Sequence, residues 1–173
     1  MGLFDKLFKK AETKMASSAP ACDPAVVYAP AEGTAIPLEQ FPDALFSGGD
    51  LGPGCGIEPT GDTVYAPFSG EVTQVIDSLH AVGVTSESGI ELLIHIGVDT
   101  VAMNGKGFRS FVHTGDKIVG GQKMIAFDRS AIKKAGYLDT IAVIVTNGED
   151  YKGVNLLSTG SVSVGADLLR VVE

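Results

Sequence analysis

The sequence predicts an all-β fold: a single antiparallel sandwich or barrel-like domain with one or two short helices. Three observations carry this. Short apolar runs alternate with polar residues at a period of two, as in half-buried strands. The runs are separated by Gly-, Pro- and Asn-marked turns, and 22 of the 173 residues are glycine. A strand-turn-strand unit occurs twice, as Tyr28-Ala29-Pro30-Ala31-Glu32-Gly33-Thr34 and as Tyr65-Ala66-Pro67-Phe68-Ser69-Gly70-Glu71. Two copies fit an internal duplication within one domain rather than a long repeat array.

In chain order, Leu3, Phe4, Leu7 and Phe8 form one helical stripe, with Lys6, Lys9, Lys10 and Lys14 on the remainder. Residues 3–10 therefore read as a basic amphipathic segment suited to peripheral contact with an anionic membrane surface. Ala16 to Pro24 reads as a flexible linker, which sets an N-terminal segment, 1–24, apart from a folded domain, 25–173. Strands are expected at Glu71–Ile76, Ala81–Thr85, Ile90–Ile96, Lys123–Phe127, Ile141–Val145 and Ser161–Val164. Asp128 to Gly136 reads as a short helix with an Asp cap, lysines in its last turn and a glycine stop. Ser47 to Gly56 reads as a glycine-rich loop; it lacks the Gly-Lys-Ser/Thr ending of a phosphate-binding loop.

Composition narrows the function. A net charge of −8 argues against nucleic-acid binding. The two cysteines, Cys22 and Cys55, form no zinc-like cluster. With no secretory signal, reduced thiols and a cytoplasmic location are expected. No apolar run reaches the roughly 20 residues of a membrane span.

The densest chemistry lies between His80 and Val101. Ile90, Leu92, Ile94, Ile96 and Val98 share one face of a strand; Glu91, Leu93, His95, Gly97 and Asp99 share the other. Upstream, across the turn signal Ser86-Glu87-Ser88-Gly89, lies His80. A turn centred between Glu87 and Ser88 sets His80 directly opposite His95. A three-residue loop with Gly89 in the left-handed region would set it opposite Ile96 instead. The centred register is expected, because it buries no lone imidazole.

Two facing imidazoles can share one phosphate or one metal ion. A neutral ring nitrogen is a nucleophile that can accept a phosphoryl group. The second ring can donate a hydrogen bond to the phosphate oxygens. Ser78, two residues before His80, offers a hydroxyl to fix its tautomer or relay its proton. Spacing alone does not say which histidine is the acceptor. The pair could also share a zinc ion, but a catalytic zinc wants a third protein ligand, and Asp99 is roughly 13 Å from His95 along an extended chain. His113, beside a turn signal, reads as a solvated surface residue.

The stretch from His80 to Val101, with Ile94-His95-Ile96-Gly97-Val98-Asp99 at its centre, resembles the signature of the glucose-type IIA component of the bacterial phosphoenolpyruvate:sugar phosphotransferase system. Tyr65-Ala66-Pro67-Phe68-Ser69-Gly70, Gly105-Lys106-Gly107-Phe108 and Thr159-Gly160-Ser161-Val162 resemble further elements of that family, as does the start Met1-Gly2-Leu3-Phe4-Asp5-Lys6. The resemblance implies a β-sandwich and a phosphohistidine carrier that needs no cofactor. It makes His95 the phosphoryl acceptor and His80 the residue that holds the phosphate. Ser78 stands where many members have threonine. Asp43 and Asp99 match acidic residues that would meet an arginine of the phosphocarrier HPr. Leu45, Phe46 and Leu93 would form an apolar, partner-facing collar. The implied partners are HPr, the IIB domain of a sugar permease, and regulated permeases or kinases. The loop from Gly49 to Gly56 departs from the family pattern at Pro53 and Cys55. The rival reading is a zinc-dependent hydrolase on a related β scaffold, which needs a His-x-His pair; position 97 is glycine, which counts against it.

Overall fold

In the computed structural model, residues 22–173 are described, and they form fourteen strands. The expected amphipathic segment at residues 3–10, and the expected linker as far as Ala21, lie outside the described residues. Every strand pairing is antiparallel.

The largest sheet has eight strands: β13 (Gly160–Val162), β2 (Gly33–Pro37), β3 (Gly54–Pro59), β11 (Ile141–Val145), β7 (Glu91–Ile96), β6 (Ala81–Ser86), β5 (Gly70–Val75) and β9 (Lys117–Ile118), in that order across the sheet. Two three-stranded sheets accompany it. One runs β1 (Val26–Tyr28), β14 (Asp167–Val172), β12 (Gly153–Leu156); the other runs β4 (Thr63–Tyr65), β10 (Lys123–Phe127), β8 (Phe108–Ser110). Their inward residues meet in one core that includes Val27, Leu169, Val64, Ile125, Val72, Val82, Ile94, Ile141 and Val143. Burial of such faces against one another is the main force holding a sandwich together.

The repeated Tyr-Ala-Pro-x-x-Gly unit has a structural counterpart. Each copy runs from a short strand, β1 or β4, through a proline turn into the large sheet, at β2 or β5. The copies hold each other reciprocally: the Tyr28 N–H donates to the Pro67 carbonyl (3.2 Å) and the Tyr65 N–H to the Pro30 carbonyl (2.7 Å). The closing glycines answer one requirement. A Cβ at Gly33 would lie 2.1 Å from the Glu58 carbonyl oxygen, and one at Gly70 would lie 2.0 Å from that of Thr85.

All five residues of β11 are buried, because this strand is covered on both faces. Ile141, Val143 and Val145 face the main core. Ala142 and Ile144 face a second, smaller cluster with Leu38, Phe41 and Phe46, against which Leu93 and Val98 pack. A helical turn, α1 (Ala44–Ser47), carries Phe46 into that cluster.

The expected short helix is α2 (Arg129–Lys134). The Asp128 carboxylate accepts from the Ala131 N–H, Lys133 and Lys134 occupy the last turn, and Gly136 takes φ +88° beyond it. The expected glycine-rich loop ends sooner than its composition suggests, since Gly54 to Gly56 already pair with β11. Cys55 there is a core thiol, and burial pushes its pKa up to about 12.

The hairpin register differs from the expected one. Ala81, not His80, lies opposite His95, and Val82 and Val84 face Ile94 and Leu92. The turn decides this. The Ser86 N–H donates to the Ile90 carbonyl, closing a three-residue loop of Glu87, Ser88 and Gly89, with Gly89 at φ +97°. The Ser86 hydroxyl also accepts from the Ile90 N–H, which fixes that loop. Val98 departs from the expected alternation as well. The strand ends at Ile96, Gly97 takes φ +82°, and Val98 turns to the second cluster.

Candidate functional site

β7 presents His95 on the sheet face opposite the main core, beside Leu93 and across from Ala142 of β11. His80 reaches the same place by a different route from the one the centred register required. It stands just outside β6, after Leu79, whose φ of +61° breaks the extended alternation. Its own carbonyl accepts from the Ile96 N–H (2.7 Å), tying the loop to the end of β7. The two rings then meet edge to face, with centroids 4.7 Å apart and planes at 82°. His80 is buried at 4% exposure, and His95 is half-buried. The geometry brings the two imidazoles together despite the shifted register.

Each ring is oriented through its Nδ1. His95 Nδ1 lies 2.9 Å from the Gly97 carbonyl oxygen. A carbonyl only accepts, so Nδ1 carries the proton and Nε2 keeps a free lone pair. His80 Nδ1 lies 2.8 Å from the Ser78 hydroxyl. When that hydroxyl donates, Nε2 of His80 carries a proton it can give to an anion.

The carbonyl at Gly97 is itself held. The Gly97 N–H donates to the Thr140 carbonyl (2.9 Å), and the Val98 N–H donates to that of Leu138 (3.0 Å). The Thr100 hydroxyl, fully buried, donates to the Ile96 carbonyl. The ion pair between Arg129 of α2 and Asp139 (2.9 Å) anchors the segment that supplies those braces.

Both imidazoles favour the neutral form. Burial, reinforced by neighbouring His95, lowers the His80 pKa to about 4. Burial also lowers that of His95, opposed by the Gly97 hydrogen bond and by the negative charges of Asp43 and Asp99. Asp43 caps α1, accepting from the Leu45 N–H (3.0 Å). Asp99, exposed at φ +60°, follows the turn at Gly97 and is thereby brought back toward His95.

The apolar residues divide. Leu45 is 54% exposed and Leu93 is half-buried. Phe46 is only 2% exposed, so it is not a partner-facing residue. Its ring packs against His95 with centroids 4.9 Å apart and against Phe41 at 5.2 Å. The sequence reading did not single out two exposed apolar residues on the bracing segments, Val101 and Leu138, nor the Gly97 carbonyl, Thr100 and Thr140. The carbonyls have no side-chain signature; the Ile-Gly-Val-Asp-Thr run after His95 was the available signal. His113 is exposed, 3.7 Å from Asp116.

A surface hollow of about 910 Å³, lined by Arg109, Lys123, Asp128 and Arg129 among others, contains neither histidine. Among the described residues, no group of three or more His, Cys, Asp or Glu side chains is placed to hold a metal ion. The zinc-hydrolase alternative therefore gains no supporting observation. No helix among the described residues is long and apolar enough to cross a membrane.

A family model described as phosphoenolpyruvate-dependent sugar phosphotransferase system, EIIA 1, matches residues 25–151. Over 148 residues the chain is 40% identical to the glucose-specific EIIA component of Halalkalibacterium halodurans, covering 84% of this chain and 83% of that relative. It is 43% identical over 145 residues to the glucose-specific EIIBCA component of Corynebacterium glutamicum, covering 84% of this chain and 22% of the relative. It is 39% identical over 146 residues to the beta-glucoside-specific EIIBCA component of Dickeya chrysanthemi, again covering 84% of this chain. The chain spans 23% of the length of that last relative. Among solved structures, the glucose permease IIA of Mycoplasma capricolum superposes with a TM-score of 0.74 at 34% identity, covering 83% of this chain and 93% of that one.

Proposed function

The chain belongs to the EIIA type 1 family of the phosphoenolpyruvate-dependent sugar phosphotransferase system, and on that premise we propose that it carries a phosphoryl group on His95. The observation that supports this most directly is the hydrogen bond from His95 Nδ1 to the Gly97 carbonyl, which leaves Nε2 as a neutral nucleophile beside a second imidazole.

The donor is the phosphohistidine of HPr. A bond forms between Nε2 of His95 and phosphorus as the donor's N–P bond breaks. The proton stays on Nδ1, which donates it in a hydrogen bond to the Gly97 carbonyl throughout. His80 donates from Nε2 to the phosphate oxygens while the Ser78 hydroxyl donates to its Nδ1. Phosphoryl transfer needs little beyond such alignment and charge stabilisation. The group then passes to a cysteine of a sugar-specific IIB domain, of glucose type by analogy with the relatives above.

Asp43 and Asp99 give the rim a negative charge that aids encounter with a basic partner. Leu45, Val101, Leu138 and Leu93 supply apolar contact, and HPr and the IIB domain use this face in turn. A transient interface of this kind is modest in area. The same exposed face suits regulatory binding of permeases or kinases. Incubation with phosphoenolpyruvate, Enzyme I and HPr, followed by mass spectrometry, tests the reading. An acid-labile adduct on His95 is expected; an adduct elsewhere, or none, overturns it.

A further inference from the structure

We propose that Thr100 is a positioning residue for the phosphoryl acceptor: its buried hydroxyl locks the turn whose carbonyl holds His95 in the reactive tautomer. The proposal rests on the phosphohistidine reading for its kinetic consequence, and on geometry alone for its tautomeric one.

The argument follows two consecutive peptide groups. In the Ile96–Gly97 peptide, the N–H is taken by the Thr140 carbonyl and the C=O by the Thr100 hydroxyl. In the Gly97–Val98 peptide, the N–H is taken by the Leu138 carbonyl and the C=O by Nδ1 of His95. Both peptide groups are thus gripped at both ends. Of the four grips, two come from the backbone of residues 138–140, one is the reactive imidazole itself, and the last is Thr100.

The threonine contributes its methyl as well. A Cβ built on Gly97 would fall 2.4 Å from Thr100 Cγ2 and 2.8 Å from the Leu138 carbonyl oxygen. The methyl therefore fills the space above a glycine that must take φ +82°. Glycine adopts the left-handed region freely but many other conformations as readily, so its neighbours must fix this one. Without the hydroxyl, the Ile96–Gly97 peptide is free to rotate on its Thr140 hydrogen bond. The next carbonyl then swings relative to the imidazole, and the Nδ1 hydrogen bond that selects the tautomer lengthens.

The test uses the full chain and three variants. Thr100→Val keeps the shape and removes the hydroxyl. Thr100→Ser keeps the hydroxyl and removes the methyl. Thr100→Ala removes both and, set against the serine variant, isolates the hydroxyl if the valine variant fails to fold. Two quantities are read: the tautomer of His95, from its ring nitrogen-15 chemical shifts, and the rate of phosphoryl uptake from phospho-HPr.

In the wild type, His95 is expected as the Nδ1–H form. In Thr100→Val the Nε2–H form gains population, and uptake falls about tenfold, the worth of one net hydrogen bond. Thr100→Ser retains the wild-type tautomer and most of the rate. Wild-type nitrogen shifts in Thr100→Val overturn the proposal, as do equal losses in the serine and valine variants. If the wild type takes up no phosphoryl group, the phosphohistidine reading fails by itself, and the nitrogen shifts still decide the role of Thr100.

Discussion

Replacing His80 by glutamine asks whether the structure holds that imidazole neutral. His80 is 4% exposed, and its pKa falls from 6.5 to about 4, first through burial and then through the nearby His95. In the unfolded chain the ring takes up its proton near the ordinary value. Between the two pKa values the unfolded state therefore binds more protons, and stability falls as the pH falls. Integrated between about pH 7.5 and about pH 4.5, this linkage removes about 2.5 kcal/mol from the wild type. Glutamine has no proton to gain. His80→Gln should thus be less stable than the wild type near neutrality, through lost packing, and should recover about that amount relative to it in acid. His95 is shifted in the same direction by its own burial, and its share is common to both proteins. Urea unfolding of both proteins at the two pH values gives the double difference. Parallel pH dependence in the two proteins would refute the reasoning.

Other changes probe the same site. His95→Ala should abolish phosphoryl uptake, whereas His80→Gln should still load from phospho-HPr and fail to pass the group on; single-turnover assays in each direction distinguish the two steps. Gly97→Ala meets both a left-handed φ and a 2.4 Å contact, so chemical denaturation should show a loss of at least about 2 kcal/mol. Phe46→Ala removes a buried ring from the second cluster, with a cost of about 3–5 kcal/mol by the same measurement and a broadened His95 resonance. Asp43→Asn keeps a capping oxygen for α1 but loses a charge, so stability should barely change while association with HPr slows and loses part of its salt dependence.

Much of this was legible in the sequence because it rests on local rules. The short apolar runs located β7, β10 and β11 closely. Asp128 and Gly136 marked the ends of α2, and the twin Tyr-Ala-Pro units marked the duplication. The hairpin register was not legible, because Glu87, Ser88 and Gly89 suit both a two- and a three-residue loop. The side-chain bond from Ser86 that chooses between them appears only in three dimensions. The meeting of the histidines was anticipated for a reason that did not hold. They converge because Leu79 takes a left-handed conformation, which nothing in a leucine announces. Phe46 was misplaced because an aromatic beside an acidic rim reads equally well as surface or wall, and β11, which supplies the surface it covers, lies almost a hundred residues on. The braces at Thr140 and Leu138 are main-chain groups some way further along the chain, which residue-type patterns do not display.

If His95 carries phosphorus as proposed, the choice of a peptide oxygen as the partner of its Nδ1 has an energetic consequence. Once Nε2 bears phosphorus, both ring nitrogens are substituted and the imidazole is electron-poor. An anionic partner there would neutralise that deficit and turn the loaded protein into a sink. A dipole with no net charge steers the ring and offers far less compensation, so the N–P linkage keeps its readiness to leave. On the proposed phosphohistidine role, the loaded state would then avoid a deep trap, and the group could leave toward recipient or donor.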